Sequence, residues 1–250
     1  MMPPTLSDHI YQFVEKNIDG FHKRRLERLK NLKLNEVLKR KNPYLFKAKN
    51  LHVAHDLVKM LLDAFLSSHE ETIFGEFMEQ LAIFVCNQVY GGRKSSSEGI
   101  DLEFEKDGVI YLVSVKSGPN WGNSEQIKKM RLAFQKAIRT LRTNQPNINV
   151  RAVNGCCYGK ESHEYGDYIK ICGQEFWTFI SGDERLYLDI IEPLGHRAKE
   201  RNEDFQKEYA RIVNLFTEEF TKDFCRDGYI DWEKLVEFNS GKQQSSKKQQ

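Results

Sequence analysis

Between Gly99 and Asn120 the chain alternates apolar and polar residues in two runs, separated by Lys106-Asp107-Gly108. This is the pattern of a β-hairpin: side chains on a strand point to opposite faces in turn, and Asp-Gly suits the tight turn between antiparallel strands. Asp101, Glu103 and Glu105 then share one face of the first strand, and Leu112, Ser114 and Lys116 share one face of the second. A register that pairs these polar faces sets Asp101, at a strand start, beside Lys116 on the next strand. Such a pair offers a hard oxygen ligand for a divalent cation and a positive charge for an attacked phosphate. Lys116 runs directly into Ser117-Gly118-Pro119-Asn120-Trp121-Gly122-Asn123, a loop rich in hydrogen-bond donors.

At these residues the sequence resembles the PD-(D/E)xK nucleases, and among them the type II restriction endonucleases. Asp101 stands at the family's first acid, with Ile100 in place of the usual proline, and Ser114-Val115-Lys116 stands at its acid-x-lysine element. Ser114 is a departure, because a Glu or Asp is usual there; some members carry serine and draw the missing carboxylate from a helix. The resemblance extends over residues 67–180 and implies an α/β fold, with a mixed central sheet flanked by helices. It also implies a Mg²⁺-dependent, sequence-specific endonuclease acting on double-stranded DNA. A homodimer is expected, because two strands need two sites and a palindrome mirrors two-fold symmetry.

The same resemblance implies roles. Asp101, Glu76 and the backbone carbonyl of Val115 would ligate the metal, Lys116 would hold the attacking water or steady the phosphate, and Ser114 would orient ligands. Ser67-Ser68-His69-Glu70-Glu71 matches a capping box, so a helix is expected from there to about Tyr90, with Glu76 and Glu79 on one flank. Glu76, after Gly75, is the expected donor; Glu79 and Glu125, the latter at the start of the next helix, are the alternatives. A repair or recombination nuclease of the same fold, or a non-catalytic DNA-binding module, would share most of these features.

The net charge of +2 conceals an asymmetry. Residues 21–49 hold eleven Lys or Arg against Glu27 and Glu36, so the rest of the chain is acidic. That is the footprint of a phosphate-contacting arm. Lys39, Arg40, Lys41, Lys47 and Lys49, interleaved with Tyr44 and Phe46, are the candidate contacts. Arg93 and Lys94 in a polar loop, with Ser117, Asn120, Trp121 and Asn123 after the hairpin, complete the expected DNA-binding set.

The remaining chain supplies a framework. With 40% hydrophobic and 30% charged residues it is of globular composition. No apolar run reaches the length of a membrane span, and Met1-Met2-Pro3-Pro4 leads into a polar segment rather than a signal peptide, so a cytoplasmic protein is expected. Five cysteines without CxxC spacing argue for buried free thiols rather than zinc or disulfides. Helices are expected over about 6–18, 21–40 and 51–65. Another, about 124–143, buries Ile127, Met130, Phe134, Ile138 and Leu141 and turns Lys128, Arg131, Arg139 and Arg142 outward. Strands follow over 148–158 and 168–172. Residues 174–238 read as helical with a break at Pro193-Leu194-Gly195; the aromatic stripe from Phe205 to Phe224 suits core or dimer packing. The expected organisation is a helical region with the basic segment (1–66), the nuclease core (67–180), a helical region packed on it (181–239) and a disordered tail (240–250).

Overall fold

The computed structural model describes residues 5–242; Met1–Pro4 and residues 243–250, most of the expected tail, lie outside them. The described chain runs α1 (Leu6–Lys30), α2 (Leu34–Arg40), α3 (Pro43–Ala48), α4 (Ala54–Tyr90), β1 (Arg93–Lys94), β2 (Leu102–Lys106) and β3 (Val109–Lys116). It continues through α5 (Ser124–Asn144), β4 (Val150–Cys156), β5 (His163–Glu164), β6 (Ile169–Cys172), α6 (Gln174–Ser181), α7 (Leu186–Asp189) and α8 (Ile191–Gly195). It closes with α9 (Ala198–Phe224), β7 (Cys225–Arg226), β8 (Tyr229–Ile230) and α10 (Trp232–Ser240).

Two compact units result, each built from two stretches of chain. One takes the residues through Phe21 with Glu71–Ala198, the other His22–Glu70 with the residues from Lys199 onward. This differs from the consecutive blocks expected from sequence. Burial explains it: Ile10, Val14 and Ile18 of α1 join the core beside the sheet, whereas Leu29 and Leu32 join a separate, helical core.

The first unit is an α/β sandwich around a six-stranded mixed sheet of order β1-β2-β3-β4-β6-β5. The hairpin β2–β3 closes at Asp107-Gly108, whose φ angles of 52° and 72° are those of the left-handed two-residue turn that matches strand twist. Its register runs from Lys106↔Val109 to Leu102↔Val113. β4 then pairs parallel with β3, and α5 forms the crossover such a pairing requires. Leu102, Phe104, Val113, Val115 and Val153 pack with Phe77, Leu81 and Val85 of α4 on one face. On the other, Leu112, Ala152 and Tyr168 pack with Met130, Phe134 and Ala137 of α5. β4 passes beneath α6 at Gly155, where any Cβ would lie 2.2 Å from the buried ring of Phe176.

The second unit is helical. Leu34, Val37, Leu57 and Leu62 pack with Phe205, Phe216, Phe220 and Phe224, so the aromatic stripe of α9 is core. A small hairpin, β7–β8, turns at Asp227-Gly228 within a region that periodicity assigns to helix.

Several boundaries depart from expectation. α1 passes unbroken through Gly20 and ends at Lys30, so the break falls about twelve residues later than expected. α4 is one helix through the supposed capping box; Ser68 instead donates its hydroxyl to the Ala64 carbonyl at 3.1 Å, the usual resort of serine inside a helix. Arg93-Lys94 is a short edge strand rather than loop. Pro193 sits in the first turn of α8, where no amide hydrogen is needed, and the chain breaks after it.

Candidate active site

β2 begins only at Leu102 while β3 runs on past Val113 to Lys116, and the register carries Asp101 opposite Ser114. The Asp101 amide donates to the Val113 carbonyl at 2.9 Å, which keeps the residue in line with the sheet. Its Oδ2 accepts from the Val115 amide at 2.7 Å and from the Ser114 hydroxyl at 3.3 Å, and lies 3.6 Å from Lys116 Nζ. The buried side chain of Ile100 anchors the approach. The acid and lysine expected to meet do so, at the carboxyl end of parallel β3, the end where open α/β sheets bind ligands.

Beneath them lies a polar layer. Asn154 of β4, 2% exposed and in register with Ser114, donates from Nδ2 to the Ser114 carbonyl at 3.2 Å. Its Oδ1 accepts from the Trp121 indole at 3.1 Å. The Trp121 ring centroid in turn lies 5.1 Å from Lys116 Nζ. Lys170, beside Asn154 on β6, donates to the Pro119 carbonyl at 3.0 Å and pins the same loop.

Glu79 reaches this centre from α4. Burial raises its carboxyl above the usual carboxylate range, the negative Asp101 raises it further, and Lys94 and Lys116 oppose the shift. Lys94 Nζ lies 3.6 Å from Glu79 Oε1. Glu76, one turn earlier, is exposed, as is Glu125 in the first turn of α5. Electrostatic coupling to Asp101 and Lys116 makes Glu79 a candidate donor from α4 beside the Glu76 expected from sequence.

The expected DNA-contacting residues have varied surroundings. Asn120 is exposed, and Ser117 is half-buried with its carbonyl accepting from the Tyr158 amide. Asn123 caps α5: its side chain accepts from the Gln126 amide at 3.0 Å, and Gln126 answers with its own oxygen. Arg93 is paired with Glu103 at 2.6 Å. In the helical unit, Lys39, Lys47 and Lys49 lie over Phe238, Trp232 and Phe46, Arg40 pairs with Glu36 at 3.5 Å, and Lys41 donates to the Ala64 carbonyl at 2.8 Å. Asn154 and Lys170 support this site from below and are positions that sequence reasoning passes over. Their only signal in the sequence is a lone amide and a lone ammonium inside strands that otherwise read as core.

The thiols offer no competing chemistry. Cys86, Cys156, Cys157 and Cys172 are buried and free. Burial pushes Cys86 and Cys156 up to about 12 and raises Cys157 as well, so they remain protonated and unreactive. Among the described residues no helix is long and apolar enough to cross a membrane.

A mixed sheet between helices, ending in a clamped acid beside a lysine, defines a nuclease core of the restriction-endonuclease type. The family model of the type II restriction endonuclease EcoO109I matches residues 8–202, a span that includes the whole six-stranded sheet. The chain belongs to that family and is a site-specific deoxyribonuclease. No curated protein matches it.

Proposed function

We propose that this restriction endonuclease cuts double-stranded DNA in a Mg²⁺-dependent reaction carried by Asp101, Glu79 and Lys116, and that it acts as a homodimer. The observation behind this reading is the Asp101–Lys116 pair at 3.6 Å, with Glu79 close enough to feel both charges.

The donor set suits Mg²⁺. Asp101 and Glu79 are hard oxygen donors; burial and then the like charge of Asp101 raise the Glu79 carboxyl, and a divalent cation would offset both. Within a strand the amide and carbonyl of one residue face the same edge. The Val115 amide is turned toward Asp101, so its carbonyl faces the edge that β2 has vacated and would serve as a third ligand. Among the described residues no group of three or more His, Cys, Asp or Glu converges as a metal cage, so the candidate ligands are these two carboxylates and one carbonyl. When bound, Mg²⁺ would polarise a phosphate oxygen and acidify an attacking water.

The protein's own groups do the rest. Lys116 holds its ammonium beside Asp101 and supplies positive charge as negative charge accumulates on the attacked phosphate. Ser114 donates to Asp101 and fixes the carboxylate's orientation, but it cannot replace a carboxylate's charge. Lys39, Arg40, Lys47 and Lys49 contribute phosphate contacts through exposed ammonium or guanidinium groups, and Asn120 reaches toward bases. Two strands require two such sites, hence the dimer.

The test is digestion of DNA of known sequence with and without Mg²⁺, mapping of the ends, and light scattering for mass. Cleavage at one sequence, only with divalent metal and by a dimer, is expected. Asp101→Ala should abolish cutting while leaving DNA binding largely intact. Lys116→Ala should lose at least about 10²–10³-fold in rate, as removal of one transition-state charge interaction does. Full activity of Asp101→Ala overturns the site.

A further inference from the structure

The geometry points to Trp121 and Asn154 as positioning residues that hold the Lys116 ammonium at the reacting phosphate, so that Trp121 is a support for the lysine rather than a reader of DNA bases. The inference rests on Lys116 being the cation of the reaction.

Asn154 can be oriented in only one way. The indole N–H of Trp121 is a donor alone and the Ser114 carbonyl an acceptor alone, so the amide oxygen must face the first and the amide nitrogen the second. Rotating the amide would set donor against donor and acceptor against acceptor in a site that is 2% exposed. Asn154 is thereby fixed to the same strand residue whose hydroxyl holds Asp101.

That fixed amide sets the plane of the indole. Pro119 adds a second restraint, since Lys170 donates to its carbonyl at 3.0 Å and its ring sits so close over Gly159 that a Cβ there would lie 2.9 Å from it, inside van der Waals contact. The ring face so presented lies 5.1 Å from Lys116 Nζ, within range of a cation–π attraction. The ammonium thus has Asp101 on one side and an aromatic face on another, which narrows the positions a flexible four-carbon side chain can sample. An indole committed to a buried amide and to a lysine is poorly placed to enter a groove.

The test compares Trp121→Phe, Trp121→Leu, Asn154→Ala and Lys116→Ala. For each, single-turnover cleavage is measured at saturating cognate DNA with Mg²⁺, and affinity for cognate and random duplexes with Ca²⁺ in its place. Trp121→Leu and Asn154→Ala should lose about 10- to 30-fold in cleavage rate, the scale of one cation–π attraction removed, with both affinities unchanged. Trp121→Phe should lose less than Trp121→Leu, because an aromatic face remains and only the indole tie is gone. A general structural defect would not produce that order or spare affinity. Trp121 lies on a half-exposed loop, so its variants decide the matter should Asn154→Ala fail to fold. A wild-type rate for Trp121→Leu, or a loss of cognate preference with the rate kept, overturns the proposal. Lys116→Ala separates the levels: if it is inactive while Trp121→Leu is not, only the positioning role fails; if it cuts normally, the role of Lys116 fails.

Discussion

A half-buried carboxylate near another carboxylate holds its proton more readily than a free one, and Glu79 does so even with Lys94 and Lys116 nearby. Its folded-state carboxyl lies above the ordinary 4.5, so between 4.5 and the raised value the folded protein binds more proton than the unfolded chain. Stability then falls as pH rises through that window and stays lower above it. Glu79→Gln should therefore make the metal-free protein more stable than wild type at neutral pH, with the gain vanishing toward pH 4, while cleavage is lost. Mg²⁺ should raise the melting temperature of wild type more than that of Glu79→Gln; thermal unfolding with and without metal measures both. If Glu76→Gln behaves this way instead, Glu76 is the helix ligand. Asp101 and Lys116 are legible in the sequence because period two alone assigns strand faces. Glu76 and Glu79 are not separable there, since residues three apart share a helix flank and only the seating of α4 against the sheet end distinguishes them. Asn154 is illegible for another reason: its partners, Ser114 and Trp121, are 40 and 33 residues away.

At the level of elements, the hairpin, α5, β4 and β6 can be read from periodicity and turn chemistry, whereas the long helices cannot be delimited. Ser67 to Glu71 fits a capping box, but Leu61, Leu62, Phe65 and Leu66 before it and Ile73 and Phe77 after it are all buried, and that burial carries α4 through. Tertiary packing overrides a local signal worth about 1 kcal/mol. A genuine capping box stands at Asn123, which the sequence suggests as a DNA contact. Asn123→Ala should lower unfolding free energy by about 1 kcal/mol in denaturant titrations while leaving cognate preference intact. Relaxed specificity in that variant would restore it as a base contact. Gly155→Ala should be more damaging, about 1–3 kcal/mol, because its methyl meets the buried Phe176 ring and overpacks the core.

For the whole molecule, the question is which cations carry the DNA backbone. Converting Lys39, Arg40, Lys47 and Lys49 to Gln should weaken binding to all duplexes alike and flatten the plot of log affinity against log salt by about 0.9 for each phosphate no longer neutralised. Lys41, engaged with a carbonyl, should add little when included. An unchanged slope would transfer the phosphate-binding role to α5, where Lys128, Lys129, Arg139 and Arg142 are exposed and meet no carboxylate among the described residues. The turn at Asp107-Gly108 bears on the chemistry as well as on the shape of the sheet. It lies at the far end of β3 from Lys116, and the strand between them spans about 23 Å. Surface turns ordinarily gain and lose residues freely over generations. A one-residue slip here would carry Ser114 and Lys116 to the opposite face, leaving every chemical group present and none of them together. For the chemistry, a register slip started at that turn is therefore equivalent to losing the lysine itself.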